Sequence, residues 1–154
     1  MNFRRLPSHL LTRRAMIDCV PKSNYLARAI VNHVFCGPGS LNPQSSFPQP
    51  DVLYVALFTV APTSSGGGVE VISGGYYRSI GNFAPSSIDG TTSNNISVSF
   101  PAASANWGTL VSFGVYDAPT AGNLLFFDSL LVPVSVGAGE QMSFPPGTLT
   151  AREV

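Results

Sequence analysis

The sequence predicts a mainly β protein, an antiparallel β-sandwich or jelly-roll-like domain preceded by one helix and an extended N-terminal arm. Three observations carry this expectation. From Asp51 onward, apolar residues alternate with polar ones or run in short blocks. Turn residues recur about every 8–12 positions, as in sandwiches. The chain is charge-poor, with 10% Asp, Glu, Lys and Arg and 44% hydrophobic residues, against roughly 25% charged in an average soluble domain. A length of 154 residues suits one domain with a real core plus an appendage. The body is too apolar and aromatic for disorder. Its sparse charge suits a protein packed against other proteins.

The elements follow in order. Residues 1–22 form a basic arm broken by Pro7 and Pro21, with a helical turn or two expected between Leu10 and Ile17. Residues 23–36 read as a helix. Ser23 or Asn24 can accept backbone N–H bonds at its start, and Gly37 suits its C′ position. Leu26, Ile30 and Val34, flanked by Tyr25, Ala29 and His33, make an amphipathic stripe expected to dock on the β body. Residues 37–50 carry four prolines, which remove donors and fix φ, so this is a linker or strap. Residues 51–154 form the β domain.

Within that domain Val52 to Phe58 is apolar on both faces, as in a strand buried on both sides. Pro62 to Gly68 is a loop. Val69 to Phe83 holds two strands separated by Ser73-Gly74-Gly75. Ile96, Val98 and Phe100 alternate, as do Val111, Phe113 and Val115, so each set should bury one face. Asn123 to Val132 is a further apolar strand. Gln141 to Phe144 and Thr148 to Val154 close the chain around Pro145-Pro146-Gly147. No internal repeat is visible.

Charge divides the arm from the body. Before Ala29 six basic residues (Arg4, Arg5, Arg13, Arg14, Lys22, Arg28) stand against Asp18, a net +5. After it, Arg78 and Arg152 oppose seven acids (Asp51, Glu70, Asp89, Asp117, Asp128, Glu140, Glu153), a net −5. Such asymmetry points to a partner for the biased part. The six basic residues are therefore the candidate partner-binding set, aimed at an acidic protein surface, including that of another copy. Nucleic acid is the competing partner. It is disfavoured because the body offers no basic stripe with interleaved aromatics.

Catalytic sets do not assemble. His9 has no nearby acid in sequence, and His33 beside the helix stripe reads as a core or interface residue. No serine occupies a G-x-S-x-G elbow. Gly66-Gly67-Gly68 lacks the Lys-Ser/Thr of a P-loop. Asp117 and Asp128 read as turn and edge residues, and Asp89-Gly90 as a turn rather than a calcium loop. Cys19 and Cys36 form neither a disulfide framework nor a zinc pattern and read as free thiols. Trp107 should cover one end of the core. The Asn95-Ile96-Ser97 sequon matters only in a secretory pathway. Arg13 and Arg14 interrupt the apolar stretch of the N-terminus, so a soluble protein without a removable leader or membrane span is expected. No catalytic, cofactor or metal residue is assigned, and no enzyme is expected.

One ordered set of residues goes further. A helix ending in Asn32-His33-Val34-Phe35 precedes Leu53-Tyr54-Val55-Ala56-Leu57-Phe58-Thr59 and Gly74-Gly75-Tyr76-Tyr77-Arg78. Phe100-Pro101, Trp107-Gly108-Thr109, Phe113-Gly114-Val115-Tyr116-Asp117, Gly122-Asn123-Leu124-Leu125 and Phe144-Pro145 follow. Over about residues 23–154 this set resembles a family of small tailed-bacteriophage virion structural proteins, labelled tail-fibre-like or minor tail proteins. Some related small β proteins act as capsid cement or decoration proteins. The resemblance implies a β-sandwich assembled on the virion and carries over no catalytic residue.

The chain departs from the family pattern in Met1 to Pro21 and in its longer segment 37–50, additions suited to strapping subunits together. The expected function is accordingly a capsid cement protein. It would bind and stabilise the major capsid protein lattice, as trimers with copies of itself on the capsid surface, after synthesis in the host cytoplasm. The alternative is a minor tail or tail-fibre-associated protein among other tail proteins, contacting a host glycan through loops around 62–75 and 84–95.

Overall fold

The computed structural model describes residues 10–12, 22–35, 50–86 and 91–152. It is mostly antiparallel β-sheet with one N-terminal helix, α1 (Asn24–Phe35). The strands are β1 (Leu10–Thr12), β2 (Leu53–Val60), β3 (Val69–Glu70), β4 (Ser79–Gly81) and β5 (Thr91–Ser93). They continue with β6 (Val98–Ala102), β7 (Gly108–Tyr116), β8 (Leu124–Val136), β9 (Gln141–Phe144) and β10 (Thr150–Arg152).

The larger sheet runs β3-β2-β7-β8, with β4 also on β2. Because β7 occupies one edge of β2, β3 and β4 share the other, β4 at Leu53–Val55 and β3 at Phe58–Val60. A smaller sheet runs β1-β9-β6, and β5 pairs β10. Among the described residues every strand pair is antiparallel except β1 with β9.

One apolar cluster draws side chains from both larger sheets. Val55, Leu57, Phe113 and Val136 come from the five-stranded sheet, and Val98, Phe100, Met142 and Phe144 from β6 and β9. Its centre is aromatic. Phe144 meets Phe100 edge-on at 6.2 Å and Phe113 at 6.1 Å, while Tyr76 stacks on Phe100 at 6.0 Å. Each such pair contributes about 0.5–1.5 kcal/mol beyond the area it buries. Trp107 is buried in this cluster, edge-on to Tyr76, and its Nε1 donates to the Gly74 carbonyl at 2.9 Å. Gly74 has φ +67°, and a Cβ there would stand 2.9 Å from the indole. Only glycine lets the backbone approach the ring so closely.

Several sequence expectations shift for local reasons. Of the helical turns expected between Leu10 and Ile17, residues 10–12 form β1 instead, and residues 13–17 lie outside the described residues. Val98 and Phe100 are buried, but Ile96 is exposed because it lies in the turn before β6 begins. Along β7 the register with β8 shifts between Leu110 and Ser112. Leu110, Phe113 and Val115 therefore enter the core and Val111 does not. β8 continues to Val136 through Pro133, which is tolerated because it falls in the irregular stretch, residues 130–133, where the register with β7 shifts. β3 and β4 lie farther apart than expected, and β5 carries no apolar signal.

A buried amide ties the chain's last turn to the body. Asn94 Oδ1 accepts the amides of Thr148 (3.1 Å) and Leu149 (2.9 Å). Its Nδ2 donates to the carbonyls of Ile96 (2.8 Å) and Pro145 (2.9 Å), with Phe144 more distant at 3.4 Å.

Candidate interaction surface

The junction of arm and body is built from the helix start. Ser23 Oγ accepts the Leu26 amide at 3.2 Å and its carbonyl accepts that of Ala27 at 3.0 Å, a side-chain N-cap. The same residue anchors the chain to the sheet, its amide donating to the Leu125 carbonyl at 2.8 Å. The Asn24 amide donates to the Ser64 carbonyl at 2.8 Å, and Lys22 bridges Phe126 in antiparallel register. Along α1, Leu26 is buried, whereas Tyr25, Ile30 and Val31 are 40%, 40% and 54% exposed. Of the expected stripe, Leu26 thus docks and Ile30 faces outward, and the side chains of His33 and Val34 lie outside those described. Arg28 projects from the exposed face of the same helix.

A second construction covers the outer face of the five-stranded sheet. The Arg78 guanidinium stacks 3.6 Å above the Tyr116 ring and pairs with Glu70 in bidentate fashion, Nε to Oε1 and Nη2 to Oε2, both at 2.8 Å. Its Nη1 donates to the carbonyls of Ala118 (3.0 Å) and Ala121 (2.8 Å). Ala121 holds φ +52°, where residues other than glycine are uncommon. Burial pulls the guanidinium pKa down, but hydrogen bonding and charge from Glu70 outweigh it and leave it raised. Burial pushes the Tyr76 hydroxyl well above the usual phenol range and raises Tyr116 despite the opposing charge of Arg78. A bidentate, stacked arginine is the strong form of an ion pair.

Beside this cluster lies a shallow groove of about 440 Å³ between β4 and the 96–99 segment, lined by Tyr54, Tyr77, Arg78, Ile80, Ile96 and Ser97 among others. Tyr77, Ile80 and Ile96 are exposed there.

Of the candidate partner-binding set, Arg4, Arg5, Arg13 and Arg14 lie outside the described residues, as do Cys19, Cys36, Gly37 and Asp89. Lys22 and Arg28 flank the anchor. The acids meant to receive the arm are largely engaged at home. Glu70 holds Arg78, Asp117 accepts the Asn123 amide and Nδ2, Asp128 accepts the Ser129 amide, and Glu140 accepts the Gly137 amide. Burial raises the Asp128 pKa against that hydrogen bond. Arg78 and Asn94 went unassigned in the sequence. Arg78, one of two basic residues after Ala29, was the available signal; Asn94 offered none. Among the described residues no group of three or more His, Cys, Asp or Glu is placed to hold a metal ion. No described helix is long and apolar enough to cross a membrane.

Residues 21–152 match the Gp80 family, described as podophage GP4 fiber I protein gp80. The match covers most of the chain, so the protein belongs to that family of phage tail-fibre-like structural proteins. No curated protein matches the chain. Membership overturns the expectation of a capsid cement or decoration protein, and with it the major capsid protein as partner and the capsid surface as location. The composition and strap-like additions that favoured the cement reading suit any densely packed virion protein, and the family is a fibre family.

Proposed function

From this membership we propose that the chain is a non-catalytic structural component of a podophage tail, held among neighbouring tail proteins by protein–protein contacts. The match across residues 21–152 is the observation that carries the reading. The division into arm (1–22), helix (23–36), linker (37–50) and β domain (51–154) belongs to the proposal, as does closure of the two larger sheets into a sandwich. The single core shared by those sheets supports that closure.

Arg4, Arg5, Arg13, Arg14, Lys22 and Arg28 serve as the tether to a neighbour. An anchored helix start, with Arg28, Ile30 and Val31 exposed beyond it, supports this role. Contacts linked through one chain make later binding steps intramolecular, so a weak arm can still secure attachment.

Quantitative mass spectrometry of purified virions separated into heads and tails tests the location. The protein should travel with tails in low copy number; near-stoichiometric recovery with heads would overturn the reading. Replacing Arg4, Arg5, Arg13 and Arg14 with Ala should reduce occupancy on tails without lowering the melting temperature. Unchanged occupancy would remove the arm from the function.

A further inference from the structure

β9 is the middle strand of the smaller sheet, and its two edges are filled very differently. β6 pairs one edge in antiparallel register. On the other edge, among the described residues, stands β1, three residues long and parallel, with Leu10 opposite Gln141 and Thr12 opposite Ser143. Parallel pairs are slightly less stable per residue, and three residues form few ladder bonds. β9 itself is firmly fixed, with Met142 and Phe144 fully buried in the core. Among the described residues, a rigid strand therefore carries a cover held through a short ladder. That cover also lies outside residues 21–152, the stretch matched to the family, whereas the edge beneath it lies inside.

We infer that this edge of β9 is a docking site for an extended segment of a neighbouring tail protein, and that β1 is an exchangeable cap vacating it during assembly. An uncovered edge is a template for indiscriminate strand pairing. A displaceable cap guards it until a partner supplies a longer ladder. The occupant's chemistry follows from the cap and from charge. The edge accepts Leu10-Leu11-Thr12, a short and mainly apolar run. Glu140 immediately precedes β9, and beyond Ala29 seven acids oppose two bases, a net −5. The segment that fits is a short apolar strand with basic residues beside it. The identity of the partner rests on the tail reading above; the edge does not.

The test uses the full chain and, as probe, a fluorescent synthetic peptide of residues 6–16, which carries this chemistry. Leu11→Pro removes a donor and fixes φ in the middle of the cap. The L11P chain should bind the peptide about tenfold more tightly than the wild type, a difference of about 1.4 kcal/mol. Equal binding, or none by either chain, overturns the proposal. Should L11P lose its far-UV circular dichroism, hydrogen exchange of the wild type decides. The β9 amides on the edge facing β1 should exchange through local opening, well before those of β7; exchange only on global unfolding makes β1 part of the core and overturns the cap. Concentration-dependent wild-type dimers that exclude the peptide would make a second copy the occupant and overturn the assignment to another protein. Peptide binding and tail fractionation are read independently, so either can fail alone.

Discussion

Replacing Asn94 with Ala probes the junction between the β5–β6 turn and the end of the chain. Asn94 is 1% exposed, and its side chain supplies the acceptor for two backbone amides, Thr148 and Leu149. Alanine leaves both amides without that acceptor and strips a donor from three carbonyls. The Thr148 amide keeps the Pro145 carbonyl at 3.2 Å, so Leu149 is the buried N–H left unsatisfied, at a loss of about 1–3 kcal/mol. For a domain of this size that lowers the melting temperature by about 6 °C. Thermal unfolding followed by circular dichroism reads it directly. Asn94→Asp separates the two halves of the side chain. It keeps the acceptor but turns a second oxygen toward the carbonyls of Ile96 and Pro145, so its ionised form is disfavoured in the fold. A carboxyl whose folded pKa is raised leaves the protein relatively more stable below its unfolded value, about 3.9, and less stable as pH rises through the folded value. The deficit of N94D against wild type should therefore shrink as pH falls toward 4. An N94A protein melting within about 2 °C of wild type would refute the reasoning, since that is under 1 kcal/mol on the same scale.

Three further outcomes are expected. Arg78→Met should destabilise by about 1–3 kcal/mol, since Glu70 loses its ion pair but keeps the Tyr76 hydroxyl and some contact with solvent. Arg78→Lys should recover only part of this because it cannot form the bidentate fork; equal melting of all three proteins would discount the pair. Gly74→Ala should displace Trp107 and shift its fluorescence to longer wavelength, at a cost of about 1–3 kcal/mol for the forced overlap. An unmoved emission spectrum would show that the approach is not tight. Tyr76 and Tyr116 have folded pKa values raised above the ordinary phenol value, chiefly by burial. Their contribution is fully present below about pH 10 and lost as pH climbs through the raised values. Phenolate absorbance of the native protein should lag that of the urea-unfolded chain; superimposed titrations would contradict the burial.

Much of the β domain was legible because its strands obey a simple period. Val52 to Phe58 announced β2 by being apolar on both faces, Val98 and Phe100 announced β6 by alternation, and Gln141 to Phe144 announced β9. Ser23 announced the helix start by its capping chemistry. Where the period failed, a local irregularity intervened. The shift near Val111 changes which residues of β7 face inward, and β5, Thr91–Ser93, is held by pairing with β10 rather than by apolar content. Arg78 and Asn94 escaped because their partners lie far along the chain, and distance in sequence hides convergence in space. The division of charge was visible, yet it describes proteins crowded against neighbours anywhere on a virion. It could not separate head from tail.

The anchor at Ser23 has a mechanical consequence. Once β1 has left β9, tension on residues preceding Lys22 reaches the body at Leu125 and Phe126, near the start of β8, the longest described strand at 13 residues. β8 is paired with β7 near its start, over Leu124 and residues 126–129, and again at its end over residues 134–136. A pull there is shared across many ladder bonds instead of peeling a short terminal strand one bond at a time. The chain is strung so that its leading end can bear load while the weakly paired strands β3, β4 and β5 stay off the line of force.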